Sequence, residues 1–169
     1  GLQIAARQPP ALKTVIAVGF TDDRYATDVH YQGGSLLAVD MLPWATLMLA
    51  FQALPPDPRF REDWREVWQG RLEKNPRFIE LWLNHQRRDD YWKHGSICED
   101  YRKVKIPVYA VSGWADSYSD SVLRTLEKLS CPKRALIGPW AHGFPQNAMP
   151  RPQIGFLQEI LRWWDYWLK

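Results

Sequence analysis

The stretch Ile106-Pro107-Val108-Tyr109-Ala110-Val111-Ser112-Gly113-Trp114-Ala115-Asp116 decides the fold of this chain. Residues 106–111 are a short apolar run with strand character, and 112–116 form a turn made feasible by Gly113. Upstream, Thr14 to Phe20 (TVIAVGF) is a continuous apolar run rich in β-branched residues, the pattern of a strand buried on both faces in a parallel sheet. Downstream, Val122, Leu123, Leu126 and Leu129 share one face of a helix for which Ser117 or Ser119 is the expected N-cap. Pro132 then precedes a third strand, Arg134 to Ile137, which ends in Gly138-Pro139-Trp140-Ala141-His142-Gly143. The alternation of strand, helix and strand predicts an α/β fold with three parallel strands and flanking helices, in which ligands bind beyond the carboxyl ends of the strands.

The outer segments extend this frame. Leu2 to Gln8 has helical character and stops at Pro9-Pro10. Leu36 to Leu54 reads as an apolar helix interrupted near Pro43, and Pro55-Pro56-Asp57-Pro58 breaks the chain. Trp64, Val67, Trp68 and Leu72 then group on one helix face, as do Phe78, Ile79, Trp82 and Leu83. Residues 21–101 are therefore expected to be a helical cap insertion, with 1–20 and 102–169 forming the core. Phe156 to Leu168 predicts an amphipathic helix with Phe156, Leu157, Ile160, Leu161, Trp164, Trp167 and Leu168 facing one way.

Composition bounds the function. The 169 residues, 46% hydrophobic and 24% charged, suit one globular domain. The net charge of +3 is dispersed, and the basic Gln86-Arg87-Arg88 runs straight into Asp89-Asp90, so nucleic acid is not an expected partner. No apolar stretch approaches the roughly 20 residues that cross a bilayer, so no membrane partner is expected. No basic-then-apolar leader follows Gly1-Leu2-Gln3, which favours the cytoplasm. The two cysteines, Cys98 and Cys131, read as reduced structural thiols. His30, His85 and His94 have no pair at the helical i, i+4 spacing, so neither a metal nor a cofactor is expected. The ten tryptophans are read as packing.

Asp116 and His142 occupy matching places, each a few residues beyond a buried strand and each in a glycine-bearing turn. Both should emerge at one sheet edge, where a carboxylate can orient an imidazole as general base. Pattern alone leaves a second reading open, of a surface turn aspartate and a hydrogen-bonded loop histidine. Asp22-Asp23-Arg24 lies at the same edge, either lining a pocket or bracing the cap, with bracing through Arg24 the favoured reading. Trp114 and Trp140 either wall the pocket or pack beneath the turns.

The stretches 106–116 and 136–143, together with Thr21-Asp22-Asp23-Arg24-Tyr25 and Leu161-Arg162-Trp163-Trp164-Asp165-Tyr166-Trp167-Leu168, resemble the X-Pro dipeptidyl-peptidase-like family of α/β-hydrolases, which includes cocaine esterase. The resemblance implies a partial α/β-hydrolase fold. It also implies that Asp116, closing G-W-x-D, is the triad acid and His142 of G-P-W-x-H the triad base, in the fold's order of Ser, Asp and His. The implied activity is hydrolysis of a small acyl ester or X-Pro peptide through an acyl-enzyme, the family's substrates also extending to acylated β-lactams.

One part of the pattern is absent. No G-x-S-x-G nucleophile elbow is present, and Ser35 in Gly33-Gly34-Ser35-Leu36-Leu37 lacks the glycine two residues on. The resemblance implies that the serine lies a few residues before Gly1, so the isolated chain is expected to be inactive. The alternative is a non-catalytic hydrolase remnant, an interaction subunit that self-associates or pairs with a partner through an exposed sheet edge.

Overall fold

A computed structural model describes residues 1–169. The elements run α1 (Leu2–Ala6), β1 (Val15–Val18), β2 (Tyr31–Gln32), β3 (Ser35–Leu36), α2 (Ala38–Gln52), α3 (Trp64–Glu73), α4 (Phe78–Asn84), α5 (Asp90–His94), two single-turn 3-10 helices (Ile97–Glu99 and Tyr101–Lys103), β4 (Val108–Gly113), α6 (Ser119–Lys128), β5 (Lys133–Gly138) and α7 (Phe156–Leu168).

Strands β1, β4 and β5 form a parallel sheet in the order β1-β4-β5, with Val15 opposite Val108 and Gly113 opposite Gly138. The period of two along each strand divides the core. Val15, Ala17 and Val108 pack with Leu2 and Ala5 of α1, together with Ile97, Val104 and Leu129. Ile16, Val18, Tyr109 and Val111 pack instead with Phe156, Ile160, Trp163, Trp164 and Trp167 of α7. The sheet is thus covered on both faces, which is why its strands read as unbroken apolar runs. Helix α6 connects β4 to β5 and packs against both. This is the expected α/β architecture of three parallel strands with flanking helices.

A separate aromatic cluster lies in the helical region, where Tyr31, Met41, Ala45, Trp82 and Trp92 are buried together with Tyr25, Phe78 and Ile79 against them. Polar contacts join this region to the sheet. Asp22, fully buried, accepts from both Nε and Nη2 of Arg124 on α6 and from the Tyr101 hydroxyl, while Gln3 of α1 donates to the Gly95 carbonyl at 2.9 Å. No helix is long and apolar enough to cross a membrane.

Four expectations are corrected. Helix α2 runs unbroken through Pro43, because proline so near the start removes only the bond to the Val39 carbonyl, on a largely exposed residue. Ser112 and Gly113 belong to β4, not to the turn, because they continue the ladder opposite Ile137 and Gly138. The N-cap of α6 is Tyr118, not a serine, and Ser119 is already helical. On α7, Leu157, Leu161 and Leu168 are 61%, 59% and 56% exposed while Trp163 is buried. The contact face turns toward Trp163 because its indole packs on Tyr109, ring centroids 5.2 Å apart, and its Nε1–H donates to the Thr14 hydroxyl at 2.8 Å.

Candidate active site

The carboxyl ends of the three strands deliver three loops to one place. Beyond β1 comes Gly19, beyond β4 comes Asp116, and beyond β5 comes His142. The β4 and β5 loops are laced together by backbone bonds, from Trp114 N–H to the Gly138 carbonyl at 2.8 Å and from Ala115 N–H to the Trp140 carbonyl at 3.1 Å. That crossing requires glycine at 113, where an added Cβ would sit 1.8 Å from the Trp140 carbonyl oxygen. Gly19 is required twice over. Its φ is +52°, and a Cβ there would fall 2.6 Å from Cε1 of the His142 ring.

Asp116 and His142 meet at this junction. His142 Nδ1 lies 3.2 Å and 3.3 Å from the two carboxylate oxygens of Asp116. An ionised carboxylate only accepts, so Nδ1 carries the proton and Nε2 presents its lone pair. The Asp116 side chain is 2% exposed and that of His142 64%, an arrangement of buried orienter and accessible base. Burial pushes the Asp116 carboxyl up, but hydrogen bonds from His142, from the Ser112 hydroxyl at 2.9 Å and from the Tyr118 N–H at 3.2 Å outweigh it and hold the group below its ordinary value. The bond to Asp116 pushes His142 above its ordinary 6.5, against the opposing effect of burial.

His142 lies on a cavity of about 610 Å³. Pro43, Trp44 and Leu47 of α2 supply an apolar wall, Arg24, Asp28 and Tyr118 line it with polar groups, and Gly1 to Gln3 at the start of α1 border it. The two tryptophans of the turns are not part of this lining. Trp140 is buried and donates its Nε1–H to the Pro152 carbonyl at 2.8 Å, and Trp114 is exposed. The tryptophan in the cavity is Trp44.

None of the other singled-out residues joins the pair, although Arg24 and His30 line the same cavity. Ser35 opens β3 in a hairpin with β2 and does not line the cavity. His30 is buried beside Asp28 and against Trp82, His85 bonds Asp89 and stacks on Tyr91, and His94 lies by Arg7. Of Asp22-Asp23-Arg24, the brace across to α6 is Asp22 with Arg124; Asp23 caps its own turn, and Arg24 pairs with Asp28 at 2.9 Å and lines the cavity. Ser112, Asp28 and Tyr118 were not anticipated at the site. Ser112 could have been found from its spacing four residues before Asp116, whereas Asp28 lies 90 residues from Tyr118 and left no local signal.

A family model for X-Pro dipeptidyl-peptidases (S15 family) matches residues 1–144, a span that includes β1, β4, β5 and both members of the pair. The chain belongs to the X-Pro dipeptidyl-peptidase (S15) family. A search of curated proteins finds no match. Membership in S15 makes this a chain of a serine-hydrolase type family with an α/β-hydrolase fold, as its parallel sheet displays.

Proposed function

We propose that Asp116 and His142 are the acid and base of a Ser-His-Asp triad that hydrolyses a small acyl ester or X-Pro peptide through an acyl-enzyme. The observation that carries this reading is the 3.2 Å contact from Nδ1 of an exposed imidazole to a buried carboxylate, at the border of a cavity of about 610 Å³. Asp116 holds the tautomer in which Nε2 is basic and stabilises the imidazolium as it forms. His142 takes the proton of the nucleophilic hydroxyl as that oxygen attacks the carbonyl, and returns it to the departing alcohol or amine. Residues 21–101 act as the cap over the core of 1–20 and 102–169, and α2 supplies the wall that contacts the acyl group.

The serine is proposed to come from outside these 169 residues. Of the chain's own serines near the pair, Ser112 donates to Asp116 and Ser121 lies fully buried beside Arg124, while Ser117 lines the cavity but stands between Ala115 and Ser119 and not in a G-x-S-x-G elbow. A serine-directed fluorophosphonate is therefore expected to leave the isolated chain unlabelled, and an aryl ester to remain uncleaved. A covalently labelled serine would reject this assignment.

A second reading, of a non-catalytic interaction subunit, is favoured by β1 lying at the edge of its sheet with one side unpaired. Size-exclusion chromatography separates the two, since a monomer at micromolar concentration argues against pairing through that edge.

A further inference from the structure

We infer that Asp28 is a positioning residue, which through the Tyr118 hydroxyl fixes the aromatic ring against which the His142 imidazole is held in line with Asp116. The inference rests on the acid–base reading of Asp116 and His142 given above. Tyr118 touches both members of the pair. Its N–H donates to Asp116 at 3.2 Å, and its ring lies 5.4 Å, centroid to centroid, from the imidazole. Its third anchor is at the far end, where the hydroxyl donates to Asp28 Oδ1 at 2.8 Å.

Asp28 is built for that task. It is buried, its two oxygens accept from three donors, the Val29 N–H and the Tyr118 hydroxyl on Oδ1 and His30 Nδ1 on Oδ2, and Arg24 Nε forms an ion pair with Oδ2 at 2.9 Å. A buried acceptor so fully engaged is rigid, because any displaced donor would be left unsatisfied. The loop after β1 is thereby clamped to the loop after β4, and through the Tyr118 ring to His142 after β5. The imidazole needs such support, since its side chain is mostly exposed and its hydrogen bonds all run through Nδ1. The titratable and charged groups bearing on the clamp are Asp28, Arg24, His30, Asp116 and His142 itself.

The test reads His142 in the full 169-residue chain by long-range proton–nitrogen NMR, following its pKa and its tautomer. Tyr118→Phe keeps the ring and the N–H and deletes only the hydroxyl. It is expected to lower the His142 pKa by about half a unit and reduce the Nδ1–H tautomer. Arg124→Gln, which unpairs buried Asp22 away from the dyad, is expected to lower the melting temperature and leave both readings unmoved. Asp28→Ala should cost the same tautomer and add nothing to it in the Tyr118→Phe background. An unchanged His142 in Tyr118→Phe overturns the inference, as does an additive loss in the double variant. A wild-type His142 that titrates at its ordinary 6.5 overturns the acid–base reading first, a result distinct from both.

Discussion

Strand β4 buries all six of its residues between the α1 and α7 sides of the sheet, whereas α2, with fifteen residues, buries only Met41 and Ala45. Both segments are apolar, yet one is packed on both faces and the other leaves Val39, Leu42, Leu49 and Phe51 exposed. The difference corresponds to what each region does. In the proposed acid–base reading the sheet holds Asp116 and His142 to within about 0.5 Å, and close packing from both sides supplies that rigidity. The helical region lines a cavity through Pro43, Trp44 and Leu47 of α2, a wall that must keep apolar surface uncovered, while Val39, Leu42, Leu49 and Phe51 lie outside that lining. Its own cohesion comes from one aromatic cluster and from side-chain bonds to backbone, such as Trp92 Nε1–H to the His85 carbonyl at 2.7 Å and Trp68 Nε1–H to the Ala53 carbonyl at 2.7 Å.

If the two regions are separately cored, the largest effect should be confined to one of them. Trp92→Ala removes the most buried side chain of the aromatic cluster, and is expected to cost about 4 kcal/mol in that region. Hydrogen exchange should show α2, α4 and α5 opening while β4 stays protected. Uniform loss of protection across both regions would show a single cooperative core.

Next in size is Gly19→Ala, which strikes the sheet's loops rather than its packing. The positive φ alone costs about 1–2 kcal/mol, and the new methyl meets the His142 ring 2.6 Å away. Denaturant unfolding should register a loss of about 2–3 kcal/mol, and the His142 resonances should broaden or shift as the ring is displaced. Native-like resonances with unchanged stability would mean that the junction is looser than its geometry implies.

The smallest effect tests the α7 face. Leu161→Ser alters an exposed position and is expected to change stability by no more than about 0.5 kcal/mol, although the helix periodicity alone places Leu161 on the buried stripe. A loss of about 2 kcal/mol or more, the size of a core deletion, would restore the stripe read from periodicity.

These cases mark how far the sequence was legible. Strands β1, β4 and β5 were readable because burial on both faces leaves continuous apolar runs, and Asp116 and His142 because each follows such a run through glycine. The hairpin of β2 and β3 was missed because each strand has only two residues, too few for a period of two to register, although Gly33-Gly34 with φ of +58° and +84° carries the turn. The α7 face was misjudged because apolar residues cover so much of that helix that periodicity cannot say which of them meets the sheet. Trp44 as the cavity's aromatic, Asp22 with Arg124, and Asp28 with Tyr118 were out of reach, since such contacts are set by how distant segments pack, with 102 and 90 residues between the paired partners.

The Asp116–His142 pair carries the functional account, and its protonation is measurable without substrate. Its linkage to stability has a definite sign. The His142 pKa is raised, so its contribution is full below 6.5 and lost as pH rises through the folded-state value. The Asp116 pKa is lowered, so its contribution is full above 3.8 and lost as pH falls through its folded-state value. The pair should therefore stabilise most between pH 3.8 and 6.5. The most direct measurement is the NMR titration of His142 in the wild-type chain and in Asp116→Asn. The account predicts a wild-type pKa above 6.5 with the proton on Nδ1, falling back toward 6.5 in the variant. A His142 that titrates at 6.5 in both proteins, with Nε2 carrying the proton, would contradict it.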